Sequence, residues 1–202
     1  MNLNIPYMET DNKLLNDAYR IAAGDIVGNI VYYQNGLLTE EKPCMIAGLD
    51  YNTPWTRDTA INIWNALSIL SPEVSKNTLL AVLEEEEGNI YIGGQYWDSI
   101  IWMIGAREYC RFHKDDNFYR LAFEAGRNSV HRLEEDEFDE EDGLFRGPAV
   151  YGDGIAAYPD KYSKCPNQGS GILEWVDYPG NPVYPKGYGI PMKALSTNCV
   201  YF

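Results

Sequence analysis

The stretch DTAINIWNALSIL, Asp58 to Leu70, decides the fold that the sequence predicts. Its apolar residues fall on most of the circumference of a helix, not along a single stripe. They are Ala60, Ile61, Ile63, Trp64, Ala66, Leu67, Ile69 and Leu70. A helix with this pattern is typically buried on nearly every side, so we expect it to lie inside the domain.

Further helical patterns lie on both sides of this stretch. Asn12 to Tyr33 has a mixed apolar and polar period, and Ser71 to Glu87 follows the first stretch directly. Tyr96 to Phe112 is again apolar nearly all round, whereas Asp115 to Leu133 has one apolar side. Buried and half-exposed helices therefore alternate. This alternation predicts helical hairpins arranged as an inner and an outer layer, an all-α fold.

Long connections separate each outer helix from the next inner one. The segments 34–57 and 134–195 are rich in Gly, Pro, Tyr and Trp. Each long connection delivers polar residues to the start of an inner helix: Arg57 and Asp58, then Gln95 to Asp98, then Ser196 to Asn198. Long loops on a rigid scaffold often carry the binding residues, so we expect a binding site at these helix starts.

The charge and the cysteines exclude several classes of protein. The 202 residues carry a net charge of -14, which would repel both a nucleic-acid backbone and an anionic membrane. The four cysteines are widely spaced with no CxxC pair, so we expect free thiols, no metal and no cofactor. The N-terminus lacks the pattern of a signal peptide, which favours a cytoplasmic protein. The acidic run Glu134 to Asp142 lacks the spacing of a calcium loop and is interpreted as a solvated helix end.

The remaining chemistry is that of carboxylates among aromatic rings. His113 and His131 lie in helices predicted to be outer or at a helix end, and neither a GxSxG motif nor a phosphate-binding glycine loop is present. Aromatic rings stack on the apolar faces of sugars, while Asp, Arg and Asn bind hydroxyls. The loops are rich in such rings, so the sequence predicts a carbohydrate ligand. The rings in question are Tyr51, Trp55, Tyr91, Tyr96, Trp97, Tyr151, Tyr158, Trp175, Tyr178, Tyr184 and Tyr188.

Three segments resemble known glycosidases. PWTRDTAI, from Pro54, resembles the Trp-x-Arg-Asp segment of glucoamylases and an RDT segment in the glucosidase domain of glycogen-debranching enzymes. The stretch from Tyr96, followed by DEEDGLFRG from Asp139, is similar to the next hairpin of these six-hairpin glycosidases. LEWVDYPGNPVYPKGYGIPMKALSTNCVYF, from Leu173, is similar to a debranching-enzyme stretch with a Trp-Met-Asp, a Pro-Val segment and an ALWYNA helix. It also resembles the Gly-Leu-Asp segment of processing α-glucosidases.

The resemblance implies an (α/α)6 toroid of helical hairpins. Residues 1–202 would then be the N-terminal half of one catalytic domain, with about six helices, ending inside the sixth. The implied reaction is exo-acting, inverting hydrolysis of α-linked oligo- or polysaccharides. The general base would belong to a missing C-terminal half, or the exposed inner surface would drive self-association. We therefore expect the isolated chain to be weakly active or inactive.

The resemblance also assigns roles to individual residues. Asp177 matches the general acid, with Asp153 as its rival, while Arg57 and Asp58 match the pair that binds the terminal sugar. The structural alternatives remain open: an Asp-Tyr-Pro turn at Asp177 and a helix-capping ion pair at Arg57 and Asp58. Asp98 would bind substrate or cap its own helix. Further predicted sugar-binding residues are Trp55, Tyr96, Trp97, Trp175, Tyr178 and Lys193.

Two alternative functions accompany this hypothesis. A lyase or phosphorylase would share the fold, although a phosphorylase needs a basic phosphate pocket and these loops are poor in Arg and Lys. A helical-repeat protein that binds carbohydrates or another protein without catalysis is the alternative from a different class. Such a protein would keep its binding after Asp177→Asn and would have no turnover to lose.

Overall fold

The computed structural model describes residues 5–48, 50–94, 97–147 and 193–202. These ranges contain six helices and three antiparallel sheets of two strands each. The helices are α1 (Lys13–Gly28), α2 (Thr56–Asn62, continued by a π-helical segment Ile63–Leu67 and by Ser68–Leu70), α3 (Pro72–Ala81), α4 (Asp98–His113), α5 (Asp116–Glu137) and α6 (Leu195–Tyr201). The strands are β1 (Ile30–Tyr33), β2 (Lys42–Met45), β3 (Leu83–Glu86), β4 (Asn89–Ile92), β5 (Phe138–Asp139) and β6 (Leu144–Phe145).

The prediction of an all-α (α/α)6 toroid is wrong, because the fold is mixed α/β. Part of the difference lies where a helical pattern was extended too far. The helix expected to reach Tyr33 ends at Gly28, and the β-branched and aromatic residues Ile30–Tyr33 form a strand. Strand β1 pairs with β2, and β2 packs on α3.

Three of the four glutamates after α3, Glu84–Glu86, lie on strand β3 and not at a helix end, and the fourth, Glu87, lies in the turn that follows. Glu87 and Gly88 both have positive φ angles, 52° and 79°. Two consecutive positive φ angles are the requirement of a two-residue type I′ hairpin turn, which joins β3 to β4. The helix that was expected to reach Glu87 therefore ends at Ala81, and the chain reverses at Glu87 and Gly88.

Helices α2 and α4 lie side by side and run parallel, as three contacts along their length show. Near their starts, Arg57 pairs with Asp98. In the middle, Gly105 lies so close to Ala60 that a Cβ on Gly105 would be 2.9 Å from the Ala60 Cα. Near their ends, the ring of His113 donates a hydrogen bond to the carbonyl oxygen of Ser68, 2.5 Å away. The two helices therefore present their N-termini at the same end of the molecule.

The core lies between α2, α3, α4 and α5. Its largest members on α4 are Trp102 and Tyr109, and both rings contact Phe118 of α5. Helix α2 is less buried than expected, because Trp64 and Ile69 are 42% and 58% exposed. The other buried members of this cluster are Met45, Ile63, Leu67, Val74, Leu79, Val82, Leu83, Ile92, Ala106 and Ala125.

The side chain of Asn198 links the short helix α6 to the hairpin β5–β6. The Asn198 side-chain oxygen accepts a hydrogen bond from the backbone N–H of Phe145 (2.8 Å), and its amide nitrogen donates to the Phe145 carbonyl (3.2 Å). Phe145 is fully buried and packs edge-on against Trp97, one residue before α4. The start of α4 therefore adjoins both the α2 start and the β5–β6 hairpin.

Candidate functional site

The centre of the candidate site is an ion pair between the starts of α2 and α4. The Arg57 Nε donates to the Asp98 Oδ1 at 2.9 Å, and the two side chains are only 16% and 4% exposed. Each residue lies in the first turn of its helix, and parallel packing brings these first turns together. A charge this well buried is costly unless it is paired, so the ion pair offsets part of the cost of burying both side chains.

Asp58 follows Arg57 in the first turn of α2 and is half-buried. A carboxylate at this position is stabilised by the positive end of the helix dipole. Both readings from the sequence, a sugar ligand and a helix-stabilising charge, are compatible with this position. Asp58 is adjacent in the chain to Arg57, the basic member of the Arg57–Asp98 pair.

Trp55 and Tyr51 form an aromatic corner immediately before α2. Their ring centroids are 6.0 Å apart with an interplanar angle of 75°, and the residues are 38% and 52% exposed. An edge-to-face pair with this exposure leaves ring surface available for stacking. Trp55 precedes Thr56, the first residue of α2, so the corner lies next to the Arg57–Asp98 pair in the chain.

Trp97 was predicted as a stacking ring, and the structure places it inside the protein. It is 1% exposed, and its ring centroid lies 5.2 Å from that of Phe145. A Cβ on Gly147 would lie 2.6 Å from the indole nitrogen of Trp97. In this position the ring supports the start of α4, which carries Asp98.

Lys193, another predicted sugar ligand, lies in a separate ion-pair cluster. Its ammonium group contacts a carboxylate oxygen of Asp139 at 2.7 Å and one of Asp142 at 2.5 Å. The hydrogen bond from Lys193 lowers the pKa of Asp139, and the two carboxylates raise the pKa of Lys193. The cluster joins the residues before α6 to the β5–β6 turn.

Several predicted site residues lie outside the described ranges. They are the proposed acid Asp177, its rival Asp153, and the aromatic residues Tyr96, Trp175 and Tyr178. The structure therefore brings together Arg57 and Asp98, with Asp58 and Trp55 adjacent to Arg57 in the chain.

Sequence reasoning missed the two residues that support this pair, Thr56 and Gly94. Thr56 is buried, and its hydroxyl donates to the carbonyl oxygen of Gly93 at 2.8 Å. Gly94 has a φ of +116°, which side-chain-bearing residues rarely adopt. The Gly-Gly dipeptide shortly before an inner helix was the available signal, since glycine marks places where the backbone needs special freedom.

Comparisons with protein-family models, with curated proteins and with solved structures found no match to this chain. Within the described ranges, no helix has the length and apolar character needed to cross a lipid bilayer.

Proposed function

We propose that this chain carries the sugar-binding and acid-bearing part of a glycoside hydrolase that acts at the ends of α-linked chains with inversion. The observation that carries the proposal is the buried Arg57–Asp98 ion pair at the common end of two parallel helices. The partly exposed Trp55 next to it in the chain supplies an apolar ring. The resemblance of three sequence segments to glycosidases supports the same activity.

A neutral sugar matches the chemistry of this pair. A guanidinium and a carboxylate held at 2.9 Å neutralise each other, so the pair presents no net charge to a ligand. Sugar hydroxyls are neutral and both donate and accept hydrogen bonds, which suits a neutral polar site of this kind. The ring of Trp55 would cover the apolar face of the same sugar.

In the proposed reaction Asp177 protonates the leaving glycosidic oxygen. A second carboxylate activates a water molecule on the opposite face of the sugar, and in inverting enzymes the two carboxyl groups stand about 6.5–9.5 Å apart. Arg57 and Asp98 hold the sugar at the reacting end of the substrate. Asp153 is the alternative candidate for the general acid, and mutating each aspartate in turn shows which of them the reaction requires.

Titration calorimetry with maltooligosaccharides tests the binding step. We expect Trp55→Ala to weaken binding about tenfold, since loss of a stacking ring costs on the order of 1 kcal/mol or more. Trp64→Ala is the matched control, because Trp64 is equally exposed (42% against 38%) but lies on the π-helical segment of α2. Failure of the wild-type chain to bind neutral oligosaccharides at millimolar concentration would reject the proposal.

Product analysis by proton NMR tests the catalytic step, since the first-formed anomer reveals inversion. Because we expect the isolated chain to be weakly active or inactive, turnover is compared in a protein that also supplies the general base. There, Asp177→Asn should abolish turnover and preserve binding, and Asp153→Asn should leave turnover intact. If that protein binds oligosaccharides without turnover, the chain belongs to a carbohydrate-binding protein and not to a hydrolase.

A further inference from the structure

One hydrogen bond fastens the first residue of α2 to the connection that leads into α4. The Thr56 hydroxyl donates to the carbonyl oxygen of Gly93, at 2.8 Å, and Thr56 is only 4% exposed. Gly93 follows β4 directly, and its own N–H donates to the carbonyl oxygen of Val82 at 2.9 Å. The bond therefore links the start of α2 to a connection that is itself anchored to the β3–β4 hairpin.

Gly94 allows this connection to pass between Thr56 and Asp98. A Cβ at Gly94 would lie 2.7 Å from the Thr56 hydroxyl oxygen, and 2.9 Å from both the Cβ and the Oδ2 of Asp98. These separations are shorter than van der Waals contact, so a larger residue would displace one of the two neighbours. The φ of +116° adds a second reason for glycine at this position.

We propose that Thr56 and Gly94 are positioning residues that hold Asp98 in register with Arg57. Thr56 sets the distance between the two helix starts, and Gly94 leaves room for the connection to pass between Thr56 and the Asp98 side chain. The inference rests on the proposed function in one respect: the expected consequence is that a correctly placed Arg57–Asp98 pair binds a sugar.

Removal of the Thr56 hydroxyl tests the inference. Thr56→Val keeps the shape of the side chain and removes the donor, whereas Thr56→Ser keeps the donor. Thr59→Val is the matched control, because Thr59 is also buried on α2 and its hydroxyl has no hydrogen-bond partner among the described residues. Thr56→Ala replaces Thr56→Val if the valine variant does not fold.

The first readout is the Nε–H signal of Arg57 in a nitrogen-15 NMR spectrum, assigned with Arg57→Lys. In the wild type this N–H donates to Asp98, so its exchange with water is slow. We expect Thr56→Val to shift the signal and speed its exchange at least tenfold, with Thr56→Ser and Thr59→Val close to wild type. An unchanged Arg57 signal in Thr56→Val would overturn the inference. Loss of folding in both Thr56→Val and Thr56→Ala would also overturn it, since Thr56 would then be a structural residue.

The second readout is affinity for maltooligosaccharides, and it separates the two proposals. If the inference and the proposed function both hold, Thr56→Val binds about tenfold more weakly than Thr59→Val. If the wild type binds no oligosaccharide but the Arg57 signal responds as expected, the proposed function fails and the positioning role stands. Wild-type affinity in Thr56→Val would contradict the positioning role in binding.

Discussion

Two cysteines of this chain differ in burial, and we therefore expect them to differ in reactivity toward alkylating reagents. Cys44 is fully buried on β2, and desolvation raises the pKa of its thiol to about 12. Cys199, on α6, is exposed. The thiolate is the reactive form, so a thiol that is both inaccessible and hard to ionise resists alkylation.

We therefore expect iodoacetamide to modify Cys199 of the native protein and to leave Cys44 intact. Peptide mapping by mass spectrometry after a short reaction near neutral pH measures both sites in one sample. Denaturation by urea should expose Cys44 and equalise the two, which serves as the control. Equal labelling in the native protein would contradict the buried position of β2.

At the level of single residues, part of the candidate site could be predicted from the sequence. Arg57 and Asp98 were each placed at a helix start by their local pattern, and both lie there. Their pairing spans 41 positions of the chain and has no local signal, because it depends on the parallel packing of α2 and α4. Thr56 was missed for the same reason, since its contact joins segments that are distant in the chain, whereas the Gly93–Gly94 dipeptide was a local signal that was overlooked.

Among the helices, the contact of α2 with α4 depends on small residues. A Cβ on Gly105 would meet backbone atoms of Ala60, the Cα at 2.9 Å and the carbonyl oxygen at 3.0 Å. Backbone of a neighbouring helix cannot move aside as the end of a flexible side chain can. The two helices must separate if Gly105 gains a side chain.

We expect Gly105→Ala to lower the free energy of unfolding by about 1–3 kcal/mol, the usual cost of overpacking. Gly24→Ala on α1 is the control, because nothing lies within 4 Å of the added Cβ. That variant should gain about 0.5–1 kcal/mol from the higher helix propensity of alanine. Urea unfolding followed by circular dichroism measures both, and a stabilised Gly105→Ala would show that the close approach is not real.

The start of α5 supplies a test of pH dependence. Asp115 caps this helix by accepting the N–H of Phe118, and it pairs with Lys76 of α3 at 2.7 Å. The hydrogen bond from Lys76, followed by that from Phe118, lowers the pKa of Asp115 below 3.8. A lowered pKa in the folded state gives stabilisation that is complete above the unfolded pKa and is lost as pH falls through the folded pKa.

Asp115→Asn keeps an oxygen for the cap and removes the charge. At neutral pH we expect this variant to be less stable than the wild type by about 0.5–1 kcal/mol, the value of a partly exposed ion pair. The difference should shrink as pH falls below 3.8 toward the lowered pKa, because the wild-type carboxylate is then protonated as well. Urea titrations at several pH values measure the difference, and a gap independent of pH would exclude the ion pair as its source.

The strands show why the fold class was mispredicted. The run Glu84–Glu87 has helix propensity, but the positive φ angles at Glu87 and Gly88 form a hairpin turn. Local propensity is a weak indicator, and tertiary packing overrides it: Arg132 of α5 pairs with Glu86 and stacks on Tyr91, which stabilises the hairpin. The bounds of α4 and α5 were predicted closely, since their apolar periods coincide with their packing.

For the whole molecule, the excess of acidic residues sets the response to salt. The chain has 30 acidic and 16 basic residues, so the folded state concentrates negative charge. Such self-repulsion destabilises a compact state, and salt of about 0.1 M reduces it to a range of about 10 Å.

We expect added sodium chloride to raise the thermal midpoint by a few degrees, because screening relieves more repulsion than it weakens exposed ion pairs, each of which contributes at most about 1 kcal/mol. Differential scanning fluorimetry at low and moderate ionic strength measures the shift. Choline chloride at the same ionic strength should raise the thermal midpoint by a similar amount, which would exclude specific binding of sodium as the cause. A steady fall of the midpoint would show that ion pairs dominate.

The parallel course of α2 and α4 also bears on the order in which the chain assembles. Parallel helices cannot be joined by a tight turn, and the pair Arg57–Asp98 closes a loop across 41 positions. Helix α3 and the β3–β4 hairpin lie within that loop, and their own backbone hydrogen bonds join residues that are close in sequence; a hairpin forms such bonds within about 1–10 μs. Pairing of distant segments carries a loop-closure entropy that local contacts do not. We expect the local hydrogen bonds of the β3–β4 hairpin to form early in folding, and the Arg57–Asp98 pair to form among the last steps.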